Sequence, residues 1–153
     1  MHFHWLYAVE VYTSKSPTYL KKLVKLNNKR LHILQNKPLL YQVALLYNEF
    51  NTLLIADRHQ QQLLLFAYKL LHLPQKIPEI FKNYFESNEC VHEYNTSSSA
   101  ELHLHRTNTT GGQRCLKYKL VTLWNELQQS LKDSDSVTSL KDHIRAYLGL
   151  YQT

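Results

Sequence analysis

ADRHQQQLLLFAYKLL, residues 56–71, is the stretch that decides the fold. It opens polar and then turns apolar nearly all round at Leu63-Leu64-Leu65-Phe66-Ala67, without glycine or proline. A run of that length reads as a helix buried at the centre of a helical domain rather than as a strand. Glycine occurs only 3 times in 153 residues, which leaves few left-handed turns and few phosphate-cradling loops. The expected fold class is mainly α: a compact multi-helix domain of about six helices, with at most short extended segments.

On the N-terminal side, Pro38 closes a segment that Ser16-Pro17 opens, with Ser16 as N-cap and Pro17 at the first helical position. This helix is predicted to run to about Gln35. Leu20, Leu23, Val24, Leu31 and Leu34 share a stripe, and lysines spread over the other faces. A short helix is expected from Tyr41 to Phe50. Residues 3–12 alternate apolar with other residues and read as a short strand or extended lead-in.

On the C-terminal side, Pro78 is expected to open a fourth helix with Ile80, Phe81, Tyr84 and Phe85 on its apolar face. Residues 87–113 are rich in Asn, Ser, Thr and Gly and read as a long internal loop, with brief extended pieces near Leu102 to His105. Cys115 to Lys119 reads as extended. A helix is expected from about Val121 to Lys132, with Trp124 in the core, and a last one from a cap near Asp135 or Ser136. The whole chain, residues 1–153, reads as a single domain.

The formal net charge is +6, and its distribution says more than the total. No acidic residue lies between Val11 and Asn48, where Lys15, Lys21, Lys22, Lys25, Lys29, Arg30 and Lys37 occur. Lysines on a helix can neutralise phosphates without reading sequence, and Tyr12, Tyr19 and Tyr41 lie near enough in sequence to stack on bases. The same pattern also fits a solvated helix face. Arg106 in the polar loop fits either a phosphate contact or a helix cap.

Catalytic motifs are absent from the sequence. It holds no Gly-x-Gly-x-x-Gly, Walker A loop or Gly-x-Ser-x-Gly elbow, and no neighbouring aspartate pair to hold two Mg²⁺ ions. Asp133 and Asp135 read as capping residues between helices. No cofactor is expected. Cys90, His92, His103, His105 and Cys115 are the candidate zinc ligands, but none has the usual Cys-x₂₋₄-Cys or His-x₃₋₅-His spacing, so no metal site is assigned. No apolar run of about 18 residues is present, so no membrane partner is expected. Two cysteines make no disulfide framework, and an intracellular setting, nuclear or cytoplasmic, follows as the expectation.

A series of short pieces, in order, resembles the C-terminal region of reverse transcriptases from non-LTR retrotransposons of the jockey-like type. Tyr7-Ala-Val-Glu-Val-Tyr12 is similar to that family's Tyr-Gly-x-Glu-Val segment, and Leu26-Asn-Asn-Lys-Arg-Leu-His-Ile33 to its Leu-Gln-Asn-Lys helix. Leu46-Tyr47 with Leu53-Leu-Ile55, and Leu73-Pro74 with Ile77-Pro78 and Phe81-Lys-Asn-Tyr-Phe85, follow in the family's order. His92-Glu-Tyr-Asn-Thr-Ser97, Arg106-Thr107, Leu123-Trp-Asn-Glu-Leu127 and Leu140-Lys141 complete the series. Ala8, Ser97 and Gln128 depart from the family's Gly, Arg and Pro. The resemblance implies a region at or after the thumb, downstream of the catalytic aspartates. It implies a non-catalytic fragment whose partners are RNA or DNA and the missing polymerase domain. The alternatives are a protein–protein interaction module or a small zinc-stabilised structural domain. The nucleic-acid-binding residues expected are Lys21, Lys22, Lys25, Lys29, Arg30 and Arg106.

Overall fold

The structure, a computed structural model, describes residues 17–76, 78–81, 83–91 and 98–149. The lead-in at residues 3–12 and the Ser16 cap lie outside the described residues. Eight α-helices are formed among those described: α1 (Pro17–Leu34), α2 (Val43–Glu49), α3 (Ile55–His72), α4 (Asn88–Val91), α5 (Thr110–Gln113), α6 (Leu116–Glu126), α7 (Gln129–Lys132) and α8 (Val137–Gly149). No strand is formed among the described residues beyond one isolated bridge, so the mainly α class holds. The chain divides into two compact units, Met1–Gln61 with Ile144–Thr153, and Gln62–His143.

In the first unit, Leu31, Leu46 and Tyr47 form a buried cluster, and Tyr41 and Val43 pack on it. The predicted stripe of α1 is only partly inside. Leu31 is buried, Leu20, Leu23 and Val24 are half-buried, and Leu34 is exposed. The chain leaves the helix through Asn36, whose φ of 50° is left-handed, and the Lys37 amide returns to the His32 carbonyl. That reversal stops the helix and leaves Leu34 on its outer side. Asn51, at φ 44°, makes a comparable turn after α2.

The second unit is built on the apolar run of α3. Leu63, Leu64, Ala67, Tyr68 and Leu70 are buried, as are Leu120, Val121 and Trp124 of α6 and Leu140 of α8. Tyr68 donates from its hydroxyl to the Ser134 carbonyl at 2.7 Å, and its ring stacks on His72 at 4.4 Å. Ser136 caps α8, accepting from the Ser139 amide at 3.1 Å.

Three sequence expectations change. The helix expected from Pro78 is a single 3₁₀ turn, Glu79–Phe81. The aromatic residues instead pack edge-on, Phe81 on Phe66 at 5.7 Å and Tyr84 on Phe81 at 5.4 Å. The segment read as extended from Cys115 to Lys119 is helical from Leu116, because Cys115 is the extended N-cap. The helix expected through Lys132 breaks at Leu127, which is extended at φ −70° and ψ 138° and buried. The break turns Leu127 inward, and α7 restarts after Gln128.

The segment 87–113 is more ordered than a plain loop. Leu102 pairs with Ser87 in an antiparallel bridge; the His103 amide donates to the Glu86 carbonyl at 2.7 Å and the Asn88 amide to the Glu101 carbonyl at 2.9 Å. On the other side of Leu102, Asn125 accepts from its amide at 3.0 Å and donates to its carbonyl at 2.9 Å. Thr109 caps α5 by accepting from the Gly112 amide. A Cβ on Gly112 would lie 2.9 Å from the Thr107 Cβ, whereas one on Gly111 would meet nothing within 4 Å.

Candidate nucleic-acid interface

Helix α1 carries five of the six expected binding residues. Lys21, Lys22, Lys25 and Lys29 are all exposed. At about 100° per residue they fall within an arc of about 100°, with Lys21, Lys25 and Lys29 forming a line about 12 Å long. The lysines therefore gather on one face rather than spread. Arg30 points about 130° away from the middle of that arc, is half-buried and has an interaction within the protein. Arg106 belongs to the other unit and is exposed.

The rotation of α1 is fixed from its buried side by a polar latch. Asn27 donates to the Tyr47 hydroxyl at 2.8 Å, and that hydroxyl donates to the Asn28 side-chain oxygen at 2.9 Å. Gln35 adds a bond to the Leu46 carbonyl at 3.1 Å. Tyr47 is buried, and burial pushes its phenol above the usual range, a shift that the Asn27 bond partly offsets. Two neighbouring asparagines pinned to one phenol leave the lysine face turned outward.

Tyr41 is placed less favourably for stacking. Tyr41 donates to Glu49 at 2.7 Å, a bond that with burial and the Glu49 charge raises its phenol above 10.0. The Lys37 ammonium lies 4.7 Å over the Tyr41 ring and 4.0 Å from Glu49. One ring face is thus occupied, and Lys37 is matched by the first acid after the basic stretch. Tyr12 lies outside the described residues.

A second cationic stretch escapes any count of charge over the remainder of the chain, which averages it away. No acidic residue occurs from Leu102 to Asn125, where Arg106, Arg114, Lys117 and Lys119 lie with His103 and His105. Arg106 and Arg114 are exposed. Lys119 is held below the usual lysine range by burial and by the Arg114 charge, and Lys117 lies 5.8 Å from the Tyr84 ring. Its signal in the sequence is a window free of Asp and Glu.

Among the described residues no group of three His, Cys, Asp or Glu side chains could hold a metal ion. His103 and His105 stack edge-on at 4.9 Å, His103 shares a hydrogen bond with Asn88, and Cys90 accepts from the Ser87 hydroxyl. His92 lies outside the described residues. No described helix is long and apolar enough to cross a membrane.

Comparison with known proteins gives no match to any family, curated protein or solved structure.

Proposed function

We propose that this chain is a non-catalytic fragment from the C-terminal end of a non-LTR retrotransposon reverse transcriptase that holds RNA or DNA without sequence preference. The observation that carries the binding is the exposed lysine face of α1, Lys21, Lys22, Lys25 and Lys29, in a stretch without acid from Val11 to Asn48. A lysine line about 12 Å long matches a strand whose phosphates recur at about 3.4 Å along a helix axis, so three or four phosphates fall within reach. Arg106 and the cations of the second unit add phosphate contacts of the same kind. The ancestry rests on the ordered signatures, and the catalytic aspartates of the parent enzyme belong upstream of them. Two free, exposed cysteines fit an intracellular setting.

Fluorescence anisotropy with a labelled single strand, over a salt series, tests the binding. Micromolar or weaker affinity that falls with salt is expected. Absence of binding at low salt refutes it, and unchanged binding by K21E/K25E/K29E refutes the residue assignment. Genomic DNA immediately upstream of Met1 tests the ancestry, which fails if no polymerase core, intact or frameshifted, is found there.

A second reading has its own observation. Leu26, Ile33, Leu34, Leu39, Leu40, Leu45, Phe50 and Leu54 are all exposed in the first unit, Leu40 at 97%. Such a concentration of exposed apolar residues suits an interaction module that docks on protein, including the missing polymerase domain. Oligomers on size exclusion, with no affinity for nucleic acid, favour it.

A further inference from the structure

We propose that the outward face of α1 and the turn after it dock the first unit against an anionic lipid surface. The proposal goes beyond nucleic-acid binding: it shares the lysines of α1 but rests on apolar side chains that a phosphate backbone does not contact. At about 100° per residue, α1 divides into three sectors. The inward one holds buried Leu31 and the Asn27–Asn28 pair bonded to Tyr47. The lysine arc comes next and ends at Lys22. From there Ile33, Leu26 and Leu34 continue round over about 120°. All three are exposed, Ile33 at 78% and Leu26 at 63%. Half-buried Leu23 and Arg30 share that sector. A cationic strip and an apolar strip therefore face solvent side by side.

The turn after α1 presents two more apolar residues. The Tyr41 amide donates to the Pro38 carbonyl at 2.9 Å, which puts Leu39 and Leu40 at the two central positions of a tight turn. They are 72% and 97% exposed. The turn is anchored: Tyr41 packs on the buried cluster, carries Lys37 over its ring and donates to Glu49. Withdrawing the leucines from solvent would break those contacts.

Charge then selects the occupant. No acidic residue occurs from Val11 to Asn48, so α1 and the turn carry one sign of charge. Nucleic acid matches the lysines but leaves the leucines in water. A protein partner covers the leucines, yet lysine is depleted from protein interfaces. An anionic lipid surface takes both at once. Lysines stay among the headgroups while the apolar side chains enter the boundary of the acyl layer. No described helix is long and apolar enough to cross a membrane. A run of about 18 apolar residues is needed for crossing a bilayer, whereas lying on one needs only an amphipathic face.

The test is flotation of the full chain with vesicles of phosphatidylcholine and phosphatidylserine, at about 7:3, against phosphatidylcholine alone. The chain should float with the anionic vesicles and not with the neutral ones, and less so as salt rises. K21E/K25E/K29E should weaken the partition about hundredfold, at about fivefold for each lysine. L39N/L40N and L26N/I33N change exposed positions, so circular dichroism should show the helices intact. Each should weaken the partition about tenfold or more and leave affinity for a labelled single strand unchanged. That comparison separates the two readings, since the apolar variants act on lipid alone and the lysine variant on both. The inference is overturned if the anionic vesicles carry no protein, if the neutral ones carry as much, or if both apolar variants float like the parent. Oligomers that L39N/L40N disperses, without vesicle binding, also overturn it and assign the leucines to a protein partner.

Discussion

Replacing Asn125 by alanine removes both hydrogen bonds that hold Leu102 to α6, at 3.0 Å and 2.9 Å. Leu102 is 7% exposed, so its amide and carbonyl are left without partners where water reaches poorly. Each lost bond removes about 0.5–1.5 kcal/mol of net stabilisation, and each orphaned backbone group costs about 1–3 kcal/mol if nothing replaces the partner. Local adjustment recovers part of that, which places the expected loss for N125A at about 2–4 kcal/mol. Urea unfolding followed by circular dichroism measures it as a lower midpoint at unchanged slope. Hydrogen exchange at the Leu102 amide should accelerate in parallel. N125D separates the two bonds. Its carboxylate accepts from the Leu102 amide but faces the Leu102 carbonyl unfavourably, while its protonated form restores the donor. Its folded-state pKa is therefore raised, so its deficit should shrink as pH falls and grow as pH rises through that value. An N125A variant within about 1 kcal/mol of the parent, a threshold of one hydrogen bond, with Leu102 still protected, would refute the clamp.

Other expectations are more local. K21E/K25E/K29E should flatten the dependence of log affinity on log salt by about 2, at about 0.7 for each single-strand phosphate that is no longer neutralised; an unchanged slope rejects the lysine line. Tyr47→Phe should cost about 1–2 kcal/mol in urea unfolding, because Asn27 and Asn28 lose their shared partner in a buried setting. The folded state holds the Tyr47 proton more tightly than the unfolded chain, so its contribution is level below pH 10.0 and declines as pH rises through the raised value, a decline that Y47F should lack. Ile144→Ala, at a fully buried position, should cost about 2–5 kcal/mol by thermal or urea unfolding. Glu49→Gln should bring the Tyr41 phenol back toward 10.0 in a spectroscopic titration.

The helices that the sequence announces are those whose ends and faces are local matters. Pro17 starts α1, the apolar run 63–67 buries α3, and Ser136 caps α8, all from side chains within a turn or two. The parts that periodicity misses are decided by partners far along the chain. Leu127 leaves the helix although its spacing from Trp124 continues the pattern, and nothing nearby in sequence marks the break. Asn125, in sequence only part of a signature, grips the backbone of Leu102, 23 residues earlier. The candidate interface divides in the same way. The lysine arc, and the place of Arg30 outside it, follow from spacing alone, whereas the engagement of Tyr41 with Glu49 depends on how α1 and α2 fold.

Adjacent glycines at 111 and 112 face opposite evolutionary pressures. The first opens on empty space, and a Cβ there meets no neighbour within 4 Å. The second is the seat on which Thr107 rests, and even a methyl group would press on that threonine at the turn leading into α5. Among descendants of this chain, a freely varying column should therefore stand directly beside an invariant one.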